Sequence, residues 1–155
     1  MIKKICHLIC FLSIVALLGG CNDDRNPYPI PNYYPVNISI LLDSFDSDLA
    51  IGRVKTFNSQ RGSAGYFGVV VYRYGAEDFY AYDMACPNDH YSGCTVIEHS
   101  LTATDPHGLN LECSRCCKTK FSLLSGYPVE TTFYKYPLRQ YQVTKVRDRQ
   151  FLVYN

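Results

Sequence analysis

The 155-residue chain has no Trp, although it carries fourteen Tyr and eight Phe. Its aromatic content is therefore mostly tyrosine, and Tyr together with the many Val and Ile residues favours strands. It also lacks an excess of either charge. Fifteen basic and fourteen acidic residues leave a formal +1, so nothing in the charge balance points to nucleic acid as a partner. No apolar run is long enough for a comfortable membrane-spanning helix. The sequence holds no G-x-S-x-G, no H-E-x-x-H and no glycine-rich phosphate loop leading into a helix, so none of the usual hydrolase or nucleotide-binding constellations is present. No internal repeat is visible. The length suffices for one domain with a real core, not two.

What is present begins with an address. Lys3 and Lys4 precede an apolar stretch over residues 8–18, the pattern of a signal peptide. It ends Leu18-Gly19-Gly20-Cys21, which resembles a bacterial lipobox. That resemblance implies a signal peptide over residues 1–20, a lipidated Cys21 and a destination on a bacterial membrane outside the cytoplasm, on its periplasmic or cell-surface face. Residues 21–155 hold thirteen basic against fourteen acidic residues. Attraction to anionic lipid therefore cannot hold the protein on a membrane; acyl chains at Cys21 must, and more than one is needed. Residues 21–35 carry Pro27, Pro29, Pro31 and Pro35 with no apolar period, which predicts a stiff, extended tether. Asn22-Asp23-Asp24 resembles the acidic sorting signals of some surface-exposed lipoproteins and equally suits a solvated linker.

From residue 36 onward the apolar period is two. Val36, Ile38, Ile40 and Leu42 alternate with Asn37 and Ser39, a half-buried strand. Residues 43–48 read as a turn, and residues 49–57 as either a short helix or a strand. Residues 66–74, Tyr-Phe-Gly-Val-Val-Val-Tyr-Arg-Tyr, form the most apolar stretch and predict a central strand, with residues 79–84 returning as its hairpin partner. Residues 109–112 and 120–124 predict a second hairpin, and residues 139–146 and 151–154 a third around a tight turn at 147–149. Short strands with regular turn signals imply an all-β antiparallel sandwich or barrel over residues 36–155.

The chain is organised around residues 79–129. A strand runs into a loop holding Cys86, His90 and Cys94, and the second hairpin encloses Cys113, Cys116 and Cys117. Of eight cysteines, Cys6 and Cys10 would leave with the signal peptide and Cys21 would be acylated, so these five serve the domain. Thiolates with one to three residues between them can face one ion, a condition met by Cys113-x-x-Cys116 and by Cys113-x3-Cys117. His99 and His107 lie in a polar connection and read as exposed loop residues. Tyr80, Tyr82 and Tyr91 suit either shielding of a bound group or ordinary strand packing.

The run strand-Cys86-Pro87-loop, Cys113-x-x-Cys116-Cys117, Phe121-Ser122-Leu123-x-Ser125-Gly126-x-Pro128-Val129, Tyr136-Pro137-Leu138 and Phe151-Leu152-Val153 resembles the Rieske [2Fe–2S] domain family, most of all its small lipoprotein members. The resemblance implies a Rieske-like antiparallel β-sandwich with two cysteine-bearing loops at one end, gripping a cluster with two thiolates and two imidazoles. The ligand pattern departs from the family's. Asn88 stands where the first loop has His, and Cys117 where the second does. Three readings remain open. The fold is kept without a cluster, with disulfides stapling the loops; five cysteines cannot all pair within one domain. Or a cluster survives on altered ligands: by analogy with the inter-loop disulfide of high-potential members, Cys94 would pair with Cys116, leaving Cys86, His90, Cys113 and Cys117 for iron. Or zinc takes Cys86, Cys94, Cys113 and either Cys116 or Cys117 as a closed structural site. With iron, the protein would be an electron carrier serving a redox partner protein, not a catalyst; without it, a structural or binding lipoprotein.

Overall fold

The computed structural model describes residues 34–58, 64–88, 102–103, 109–113, 118–129 and 136–155. Among these there is no helix. Nine strands follow in order: β1 (Asn37–Leu41), β2 (Arg53–Phe57), β3 (Val69–Arg73), β4 (Phe79–Asp83), β5 (Thr102–Ala103), β6 (Asn110–Glu112), β7 (Lys120–Ser122), β8 (Gln140–Arg147) and β9 (Gln150–Tyr154). Six form one sheet in the order β1-β9-β8-β4-β3-β2, and β5-β6-β7 form a second. Every pairing between them is antiparallel. The all-β antiparallel architecture expected from the sequence is thus present.

The large sheet curls, and β8 is where it does so. Its first two residues pair with β4, as Ala81↔Tyr141 and Tyr82↔Gln140. The rest pairs with β9 from Gln142↔Tyr154 onward, with a register irregularity between Lys145 and Arg147. The sheet's two edges are then tied across. Val36 bridges Ala64, Gly65 N donates to the Pro35 carbonyl at 3.2 Å, and Lys55 of β2 meets the buried Asp46 at 3.0 Å, just beyond β1. Burial works against the charge on Lys55, but its bonds to Asp48 and Asp46 outweigh it and raise its pKa.

Two cores result, one on each face of the β3–β4 hairpin. Inside the curl lie Ile38 and Ile40 of β1, Phe57 of β2, Val69 and Val71 of β3, Ala81 of β4, Tyr141 of β8 and Phe151 and Val153 of β9. The opposite face presents Val70, Tyr72 and Tyr82. They pack against Leu111, Phe121 and Leu123 of the small sheet's hairpin, with Leu138, Cys86 and Cys113. This explains why β3 reads as a continuous apolar run where β1 alternates. Val69, Val70 and Val71 are all fully buried, whereas Asn37 and Ser39 of β1 face solvent. A strand covered on both faces needs apolar residues at every position.

Three expectations are refined. The ambiguous residues 49–57 resolve into a turn and then β2; Gly52 N donates to the Arg73 carbonyl at 2.7 Å, seating the new strand beside β3. The strand expected over residues 66–74 is shorter, because Tyr66 and Phe67 turn their backbone N–H groups onto the Asp83 carboxylate instead of a ladder. The polar connection around residues 99–107 contains β5, which pairs with β6. The signal peptide and tether, residues 1–20 and 21–35 of the sequence reading, fall outside the described residues apart from Tyr34 and Pro35.

Candidate functional site

The first cysteine loop is launched from a buried carboxylate. Asp83, the last residue of β4, is fully buried. A carboxylate there is costly unless it is hydrogen-bonded. Four donors meet it: Tyr66 N at 2.8 Å, Phe67 N at 3.4 Å, Ala85 N at 2.8 Å and the Tyr141 hydroxyl at 2.6 Å. The bond from Ala85 N fixes the direction in which the chain leaves β4, one residue before Cys86. Burial, then the neighbouring Asp83 charge and hydrogen bond, push the Tyr141 phenol far above its ordinary range, so it stays a donor. Gly65 lies against this pair at φ +69°. A Cβ there would stand 2.5 Å from Asp83 Oδ2 and 2.6 Å from the Tyr141 hydroxyl oxygen, so only glycine fits.

Beyond Asp83 the chain stays inside. Ala85, Cys86, Pro87 and Asn88 are all buried, which is unusual for a loop, because buried backbone needs partners for its polar groups. Asn88 is fully buried, and among the described residues neither its side-chain oxygen nor its side-chain nitrogen has a hydrogen-bond partner.

The second loop rises from the β6–β7 hairpin. Leu111 and Phe121, both fully buried, face one another across the hairpin and hold it against the large sheet. Cys113 N donates to the Thr119 carbonyl at 3.0 Å, closing the chain on either side of residues 114–118. The turn after β7 sits on Tyr82: Gly126, at φ +74°, would place a Cβ 2.9 Å from that ring. Gly126 N bonds the Ser122 carbonyl, and Leu138 N bonds the Gly126 carbonyl, both at 2.7 Å.

The described starts of the two loops therefore share one core. Cys86, just past β4, and Cys113, just past β6, are buried thiols in one packed cluster with Tyr82, Leu111 and Phe121. Tyr80 packs on its edge, its ring 6.3 Å from that of Tyr82 and 4.6 Å from that of the more exposed Tyr74. Of the expected ligands, Cys86 and Cys113 are brought together. His90 and Cys117, the alternative cysteines Cys94 and Cys116, the lipidation site Cys21, and His99, His107 and Tyr91 lie outside the described residues. Among the described residues no group of three or more His, Cys, Asp or Glu could hold a metal ion. The chemistry of this corner nonetheless suits a sulfur-ligated inorganic group: two buried thiols from separate loops, with an unsatisfied amide two residues from one of them.

Sequence reasoning missed Asp83, Tyr141 and Gly65. The available signal was a lone acid at the end of an apolar strand, directly before a cysteine loop. It also treated Asn88 as a defect in the ligand pattern, without anticipating its complete burial.

No family model matches the chain, and no curated protein does. Solved structures resemble it more loosely. A chain from the complex of reduced oxygenase and oxidized ferredoxin in carbazole 1,9a-dioxygenase aligns over 77% of this chain and 93% of its own, with 23% identity and a TM-score of 0.49. The ferredoxin of carbazole 1,9a-dioxygenase from Nocardioides aromaticivorans IC177 aligns over 77% and 95%, with 23% identity and a TM-score of 0.45. Likenesses at this level do not establish a shared family, and the functional reading rests on the chain's own residues.

Proposed function

We propose that this chain is a membrane-tethered Rieske-like domain that holds a [2Fe–2S] cluster between its two cysteine loops and passes single electrons to a partner protein. One observation carries the reading: Cys86 and Cys113, twenty-seven positions apart in sequence, lie as buried thiols in a single cluster, Cys86 three residues past the end of β4 and Cys113 directly after β6. Thiolate ligands suit iron–sulfur chemistry. In this reading Cys86 and Cys113 would hold one iron. His90 and Cys117 would hold the other, and, by analogy with high-potential Rieske domains, Cys94 and Cys116 would form a disulfide between the loops. When bound, the cluster supplies the one-electron couple. The protein's own part is to fix the thiols through Asp83 and the β6–β7 hairpin and to keep water from them with Tyr82, Phe121 and Leu138. The lipobox at residues 18–21 supports anchoring through Cys21 outside the cytoplasm. Cys21→Ser should release the protein from membranes or leave it unprocessed, and an acylated, membrane-bound variant would refute the anchor.

The electron-transfer reading is tested by the midpoint potential as a function of pH. A thiolate in place of one imidazole adds negative charge to the site. The potential should therefore fall below the Rieske range of about −150 to +300 mV, toward the plant-type value of about −400 mV. One imidazole still makes it pH-dependent. His90→Ala should abolish that dependence or lose the cluster. An unchanged spectrum and pH profile in this variant would exclude His90 as a ligand.

A further inference from the structure

Asn88 is the feature that the fold alone does not explain. Its carboxamide is fully buried with both polar atoms unsatisfied among the described residues, and burial without partners costs stability. A leucine of similar size would remove that cost. The residue sits two positions after Cys86, on a loop whose course is set by Asp83 through Ala85 N, and the same loop places the Cys86 thiol in the cluster that contains Cys113. The unsatisfied group thus lies in the buried segment 85–88 that also carries one of the two clustered thiols. A neutral amide oxygen competes poorly with thiolate or imidazole for iron. Its nitrogen, however, is a double donor, and a sulfur-rich inorganic group is a dense set of acceptors carrying negative charge.

Resting on the cluster reading above, we infer that Asn88 is a hydrogen-bond donor to the group held at Cys86 and Cys113: Nδ2 donates to a thiolate or sulfide sulfur, and the residue is not an iron ligand. Its role is positioning and tuning. Hydrogen bonds to the sulfurs stabilise the more negative, reduced form and so raise the reduction potential. The same bond would turn an unsatisfied amide into a satisfied one when the group binds, so that binding stabilises the fold by more than the ligand bonds alone.

The experiment compares full-length wild type, Asn88→Leu and Asn88→Ala, each purified anaerobically and measured both metal-free and after reconstitution with ferrous iron and sulfide. Metal-free Asn88→Leu should melt above wild type, by on the order of 5 °C. After reconstitution both variants should match wild type in iron content. Both should have lower midpoint potentials, and the stabilisation gained on loading should be smaller in Asn88→Leu than in wild type. Loss of iron from both variants would make Asn88 a ligand and overturn the inference. An unshifted potential at full iron content would overturn it while leaving the cluster reading intact. Wild type that takes up no iron would overturn both.

Discussion

Asp83 shows how much of this domain turns on one side chain. Its carboxylate collects three backbone N–H groups and one phenol hydroxyl in a site without solvent. Hydrogen bonds to a charged group each contribute roughly 1.5–3 kcal/mol. Tyr141→Phe removes one of them while keeping the ring in the core, and should destabilise the domain by about that amount in urea unfolding. The loss should depend on pH. In the folded state the phenol is held far above its ordinary pKa of 10.0, first by burial and then by Asp83. Above about pH 10 the unfolded chain releases this proton and the folded one does not. The unfolded state then binds fewer protons, and stability falls as pH rises. The gap between wild type and Tyr141→Phe should therefore narrow above pH 10, and a constant gap would contradict the assignment. None of this was legible in the sequence. The four donors come from residues 66, 67, 85 and 141, and only the curl of the large sheet brings the last of them to Asp83.

At the scale of elements, alternation was legible and its consequences were not. The in–out pattern of β1 survives into the structure, with Ile38 and Ile40 inside and Asn37 and Ser39 outside. The apolar run of β3 announced burial on both faces, but not which strands would cover each. Residues 49–57 stayed ambiguous because their apolar positions split: Leu49 is buried while Ile51 is mostly exposed. β5 is two residues long and carries no period to read. The two-core arrangement makes its own prediction. Phe121 and Phe151 are both fully or almost fully buried, on opposite faces of the β3–β4 hairpin. Replacing either with Ala should cost about 3–5 kcal/mol. Only Phe121→Ala loosens the packing around Cys86 and Cys113, so at a temperature where both variants are folded it should lose bound iron faster than wild type. Phe151→Ala should retain iron normally. Equal loss from both would mean that the two cores do not act separately on the cysteine corner.

For the molecule as a whole, the described fold brings two thiols from distant parts of the chain, Cys86 and Cys113, into one buried cluster. The antiparallel scaffold followed from the period of two, and the approach of Cys86 to Cys113 agrees with their placement beside hairpins. The ligand set did not follow, because a ligand is chosen by the direction of a side chain in an irregular loop, which no periodicity encodes. The central claim is that Cys86 and Cys113 hold one inorganic cluster. It is tested most directly by counting iron and acid-labile sulfide per chain in anaerobically purified wild type, Cys86→Ser and Cys113→Ser. The account predicts two iron atoms and two sulfides in the wild type, with loss of the intact cluster in either variant. A single zinc per chain, or no metal after anaerobic reconstitution, would contradict it.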